Sequence, residues 1–102
     1  MEKIYKLAKG LLKRFPDGND PYQMATRLAE ECGEVASEIS HWENSGLKRQ
    51  KRGEPSKEKL AGEIKNVLSA AITIAIYYGV QDELQQSIDG SLSRLREAGY
   101  ID

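Results

Sequence analysis

Residues 60–79 read Leu60-Ala61-Gly62-Glu63-Ile64-Lys65-Asn66-Val67-Leu68-Ser69-Ala70-Ala71-Ile72-Thr73-Ile74-Ala75-Ile76-Tyr77-Tyr78-Gly79. The run does not alternate apolar and polar residues as a half-buried strand would. Gly79 stands where a helix should stop, and Ser56 where one should start. The stretch therefore predicts a helix from near Ser56 to Gly79. Its centre is apolar almost all round (Val67, Leu68, Ala70, Ala71, Ile72, Ile74). Such a helix must be covered on several sides. The chain has 102 residues, enough for one domain spanning 1–102. That leaves few other helices to cover it, which points to a second subunit.

The same reading gives three more helices. The first covers roughly 2–15, with Ile4, Leu7, Leu11 and Phe15 on one face. The second opens at Asp20-Pro21-Tyr22-Gln23, where Asp20 caps, Pro21 suits the first helical position and Gln23 completes a capping box. It runs to about Trp42, with Leu28, Cys32, Val35, Ile39 and Trp42 as its apolar stripe. The fourth covers roughly 82–98, with Leu84, Ile88, Leu92 and Leu95. Residues 43–55 form a long polar connection. The predicted class is all-α, with four to five helices in a bundle completed by oligomerisation.

Composition excludes several functions. Fifteen Lys+Arg against sixteen Asp+Glu leave a net charge of -1, which gives no support to a general nucleic-acid or membrane-surface binder. One cysteine and one histidine exclude a disulfide framework, a Cys-rich zinc site and any site built on two His ligands. The start of the chain lacks the apolar core of a signal peptide. The longest apolar stretch, Val67 to Tyr78, falls short of the ~20 residues of a membrane span. A cytoplasmic protein is expected.

The chemistry lies in where the carboxylates fall. With Leu28 at zero on a helical wheel, Glu31, Glu38 and Glu34 lie roughly 60°, 80° and 120° to one side of the apolar stripe. With Leu60 at zero, Leu60, Val67, Ala71 and Tyr78 form the stripe of the next helix, and Glu63 and Asn66 lie roughly 60° and 120° to the same side. Each helix thus carries an i, i+3 pair of oxygen ligands at the edge of its core face. Like charges at that spacing repel, and partly buried carboxylates need a counter-charge. A divalent cation supplies it. Oxygen donors without His or Cys suit Mg²⁺ or Mn²⁺ rather than zinc, and Mg²⁺ held by carboxylates commonly serves phosphate substrates. The bland alternative is a set of solvated Glu residues, since Glu is a good helix former.

Glu31-x-x-Glu34, a spacer over residues 35–62, then Glu63-x-x-Asn66 resembles the E-x-x-E, spacer, E-x-x-D signature of MazG-like nucleoside triphosphate pyrophosphohydrolases, the all-α NTP pyrophosphatase superfamily. Leu28-Ala29-Glu30-Glu31-Cys32-Gly33-Glu34-Val35-Ala36 is similar to the family's first acidic segment. The long apolar helix closed by Tyr77-Tyr78-Gly79-Val80 also fits. The resemblance spans roughly residues 20–100. It implies antiparallel helices in a homodimer or homotetramer. It also implies Mg²⁺-dependent hydrolysis of a nucleoside triphosphate to the monophosphate and pyrophosphate. Carried over by position, Glu31, Glu34, Glu63 and Asn66 would be the metal ligands, and Glu30 a source of the general base. The helical wheel offers Glu38 as a second base. The family signature has Asp where this chain has Asn66, whose amide oxygen ligates without bringing charge. The alternative is a non-catalytic helical oligomer that binds a nucleotide or a partner.

Lys48, Arg49, Lys51 and Arg52 place four basic residues in five. They read as a solvated loop or as an arm that meets phosphates, and their position between the acidic helices favours the triphosphate over nucleic acid. Nucleic-acid docking through 48–52 is a third, weaker reading. Trp42 reads as core packing or as a stacking surface for a base, and Tyr22 and Phe15 share that ambiguity. Cys32 is expected to be a small buried hydrophobe. Gly33 and Gly62 are expected to allow close helix approach.

Overall fold

The computed structural model describes residues 1–43 and 52–102. They form four α-helices: α1 (Glu2–Arg14), α2 (Pro21–Glu43), α3 (Lys57–Tyr78) and α4 (Gln81–Glu97). The described residues contain no strand. The chain is all-α.

Local chemistry sets the boundaries. Asp20 Oδ1 accepts from the backbone N–H groups of Tyr22 (2.9 Å) and Gln23 (3.0 Å) at the start of α2. The capping box is not completed. With its amide nitrogen turned towards acceptors, Gln23 donates instead to Gly18 O at 3.1 Å and to the Asp20 carboxylate at 2.5 Å. Ser56 caps α3 by accepting from Lys59 N at 2.9 Å. Gly79, at φ 65°, closes α3 with a Schellman pair, Val80 N to Ala75 O (3.0 Å) and Gly79 N to Ile76 O (3.1 Å). That left-handed turn favours glycine.

Helix α3 is the hub. It packs along α2 and α1 and touches α4 only near their junction. The faces that pack differ from the expected ones. On α2 the buried residues are Met24, Glu38 and His41, while Cys32 is exposed and Ile39 is 52% exposed. On α3 they are Ser69, Ala70, Ile72, Thr73 and Ala75, while Ala71 and Tyr78 of the expected stripe are exposed. The acid-bearing edges are partly inward, with Glu38 buried, Glu31, Glu63 and Asn66 half-buried and Glu34 exposed. The apolar stripes are divided, with Leu28, Val35, Trp42, Leu60 and Val67 half-buried and Cys32, Ile39, Ala71 and Tyr78 exposed. Small side chains explain the choice on α3, because Ser69, Ala70 and Thr73 fit under a neighbouring helix. Their hydroxyls are satisfied locally, Ser69 Oγ donating to Asn66 O (3.1 Å) and Thr73 Oγ1 to Ala70 O (2.7 Å).

The result is an open, flat chain of 45 × 44 × 22 Å. Its radius of gyration is 16.9 Å, where a compact domain of this length has about 13 Å. It exposes 7503 Å², where a folded monomer of 11.4 kDa exposes about 5,800 Å². Helix α3 is also long and apolar enough, by length and composition, to cross a membrane. Its Glu63 and Lys65 would each cost about 2.5–3.5 kcal/mol in a bilayer centre, and its Ser69 and Thr73 are already buried in protein.

Gly33 and Gly62 do not mark close approach, since a Cβ at either would meet nothing within 4 Å in this chain. Gly33→Ala is therefore expected to stabilise α2 by about 1 kcal/mol, a rise of about 4–8 °C in Tm. Thermal unfolding checks this, and a fall in Tm would mean that something packs against Gly33.

Candidate functional site

Two structural sites occupy the inward edges of α2 and α3. The first is a cavity of about 400 Å³ between α1, α2 and α3. Glu31 from α2 and Asn66 from α3 share its wall, with Leu11, Phe15 and Arg27 also lining it. Packing the acidic edges inward therefore brings one member of each predicted ligand pair into one space. Glu31, Glu63 and Asn66 are half-buried, while Glu34 and Glu30 are exposed. No three acidic, His or Cys side chains converge as a cage among the described residues.

The donor set still fits Mg²⁺. That ion keeps several waters and takes one or two protein carboxylates plus substrate phosphates. Glu31 and Asn66, which both line the cavity, are donors of that type. Glu31 makes no hydrogen bond or ion pair among the described residues, so its oxygens are available.

Glu30 lines a second, shallower cavity of about 340 Å³ with Gly18, Tyr22, Gln23 and Thr26. Arg27 lines both cavities and so stands on the wall between them.

The second structural site surrounds Glu38, the candidate base of the helical wheel, which is enclosed. Glu38 is 1% exposed. Its carboxylate is ion-paired with Arg52, which also donates to Ser37 Oγ at 3.1 Å, and lies 3.4 Å from Lys59 Nζ. His41 Nε2–H donates to Gly53 O at 2.6 Å, which leaves Nδ1 3.8 Å from Glu38 Oε2. Segment 52–59 is thus tied to the last turns of α2. Burial by itself raises the Glu38 pKa, but the hydrogen bonds and charges of Lys59 and Arg52 outweigh it and hold the carboxyl below its ordinary value. No feature of the sequence announced these partners, since Arg52 and Lys59 lie 14 and more residues away.

A carboxyl with a lowered folded-state pKa stabilises fully above its unfolded value and loses that contribution as pH falls through the folded value. The Tm difference between wild type and Glu38→Gln is expected to hold steady from about pH 7 to 5 and to shrink below about pH 4. Arg52→Ala with Lys59→Ala leaves an enclosed carboxylate without counter-charge, at an expected cost of about 1–3 kcal/mol by chemical denaturation. A pH-independent difference would remove the ion cluster as a stabilising element.

The remaining predicted residues separate. Arg52 is engaged by Glu38 rather than open to a phosphate. Trp42 is half-buried, and its Nε1 is enclosed without a hydrogen-bond partner among the described residues. Lys48, Arg49 and Lys51 lie outside the described residues. Arg27 was missed. Its signal in the sequence was its place one turn before Glu31, on the same edge of α2.

The described residues define an all-α chain in which three helices surround a cavity that carries two of the four predicted ligands. No family model, curated protein or solved structure matches it.

Proposed function

We propose that the protein is a Mg²⁺-dependent nucleoside triphosphate pyrophosphohydrolase of the MazG-like type, acting in the cytoplasm as a homo-oligomer. The observation that carries the reading is the meeting of Glu31 and Asn66 on one cavity wall, since they come from the two separate acidic motifs. Glu34 and Glu63, the other members of those motifs, complete the ligand set by resemblance. When bound, the cation supplies charge stabilisation to the triphosphate and acidity to a coordinated water. The protein's task is then positioning and proton removal, which suits a site built from acids.

Of the two candidate bases, Glu30 is favoured. It is exposed and lines the adjoining cavity. Glu38 is held by two cations below its ordinary pKa, which makes it a weak proton acceptor. Asn66 contributes an oxygen but no charge, so Asn66→Asp is expected to raise kcat/KM about tenfold by adding one negative ligand. An unchanged or lower value would favour the non-catalytic alternative.

A second copy of this chain is the natural cover for the outward stripe. Cys32, Val35, Ile64 and Val67 form an apolar depression of about 230 Å³, flanked by exposed Ile39 and Leu68. The surplus exposed surface of the single chain is of the size that stable dimers bury, roughly 800 Å² or more per partner.

The deciding experiment is pyrophosphate release from a panel of ribo- and deoxyribonucleoside triphosphates with Mg²⁺ or Mn²⁺. Turnover of at least one, abolished by chelation, is the expected result. No turnover of any, or equal turnover by Glu34→Ala, would reject the reading.

A further inference from the structure

Arg27 is a half-buried cation that makes no ion pair among the described residues. It stands on the wall shared by the two cavities. Its one hydrogen bond among the described residues is from Nη2 to Gly18 O at 3.2 Å. It forms no ion pair with Glu31, one helical turn away, nor with Glu30. A guanidinium carries five donors in a fixed fork and is always charged, so one carbonyl leaves most of its capacity unused. A partly enclosed charge favours a counter-charge; Glu31 lines the first cavity and Glu30 the second, but neither closes to an ion pair with Arg27 among the described residues.

The space beside Arg27 has a second character. Leu11 and Leu12 of α1 and Ala70 of α3 give the 400 Å³ cavity apolar walls. Phe15, 56% exposed, also lines it, and the Arg14 guanidinium lies 5.1 Å from its ring centroid. Asn19 also lines the cavity, but its Nδ2 is committed to Phe15 O (2.8 Å) and Pro16 O (3.2 Å). Its amide therefore fixes the turn that carries Phe15. The volume is within the range of small-molecule sites, about 300–1,000 Å³. A ligand suited to this cavity has a flat apolar part and an anionic part, joined over the length between Phe15 and Arg27.

We propose that Arg27 is the phosphate anchor of a nucleotide whose base lies in the α1–α2–α3 cavity against Leu11, Leu12 and Phe15. This rests on the triphosphate reading above and deepens it. Specificity is assigned to α1 and the 15–19 turn, and phosphate capture to α2 itself rather than to the basic segment 48–52. Helix α1 thereby gains a role beyond covering α3.

The test is equilibrium binding by calorimetry with three probes: an α,β-methylene nucleoside triphosphate, inorganic tripolyphosphate and a free nucleoside, each with Mg²⁺. Arg27→Gln keeps a donor for Gly18 O and removes the charge. It is expected to weaken the analogue and tripolyphosphate about 10- to 100-fold and to leave the nucleoside unchanged. Phe15→Leu is expected to weaken the analogue and the nucleoside and to spare tripolyphosphate. Unaltered analogue affinity in Arg27→Gln overturns the proposal, as does the absence of any analogue binding by wild type. If Arg27→Gln fails to fold by circular dichroism, Arg27→Met replaces it. That variant keeps most of the length of the side chain without the charge, and wild-type affinity there also overturns the anchor. Binding without turnover of the natural triphosphates would remove the hydrolase reading and leave the anchor standing. Turnover with unaltered binding in Arg27→Gln would do the reverse.

Discussion

Glu31→Gln is expected to lower kcat for pyrophosphate release by about 10²- to 10³-fold, the usual cost of removing one preorganised charge contact at a transferring phosphoryl group. The amide keeps the shape of the side chain and removes its charge. Glu31 makes no hydrogen bond or ion pair among the described residues, so the exchange has little reason to disturb the fold. A second readout separates ligand from scaffold. Mg²⁺ should raise the Tm of wild type by mass action and should fail to raise that of the variant. Activity within twofold of wild type would remove Glu31 from the site and leave the cavity without its acidic member.

Leu68→Glu is expected to convert the protein from an oligomer to a monomer, weakening association by about a thousandfold or more. Leu68 is 52% exposed on the outward stripe of α3, near Ile64 at 43% and Ile39 at 52%. Within a single chain, a Glu at that position meets water and costs little. Within an interface it buries an unpaired charge. Analytical ultracentrifugation at micromolar concentration decides between them. A monomeric wild type would sink the oligomer, and an unshifted Leu68→Glu would move the interface elsewhere. The same variant should also lower Tm, because the apolar helix loses the cover that the rest of its own chain does not provide.

Both predictions depend on which helix face points where, and there sequence and structure part company. The ends of the helices were legible because caps act over three or four residues. Asp20 and Ser56 hold the first N–H groups of α2 and α3, and Gly79 turns α3 off. The faces were not legible. The middle of α3 is apolar on nearly every side, so a helical wheel has no strong contrast to orient it. The stripe of Leu60, Val67, Ala71 and Tyr78 is divided, with Leu60 and Val67 half-buried and Ala71 and Tyr78 exposed. The contact that buries Ser69, Ala70 and Thr73 rewards small side chains and close approach, a property of two helices together.

The candidate site divides in the same way. Glu31 and Asn66 were singled out from spacing, and the cavity joins them. Glu38 was singled out too, but its role depends on Arg52 and Lys59, which reach it only after the chain has turned back. Arg27 stands one turn before Glu31 in the sequence, but its lack of an ion pair is recognisable only once every neighbouring carboxylate has been placed.

By itself the sequence determined that this protein is helical, where each described helix begins and ends, and which oxygen-bearing side chains share a helix edge. These follow from hydrogen bonds and side-chain periodicity within a few residues of each other. Only the tertiary structure decided how the helix edges are shared between inside and outside, that Glu38 is closed off by cations, and that Arg27 lines two cavities without an ion pair among the described residues. Those outcomes depend on packing and electrostatics between segments far apart in the chain, where local preference is silent.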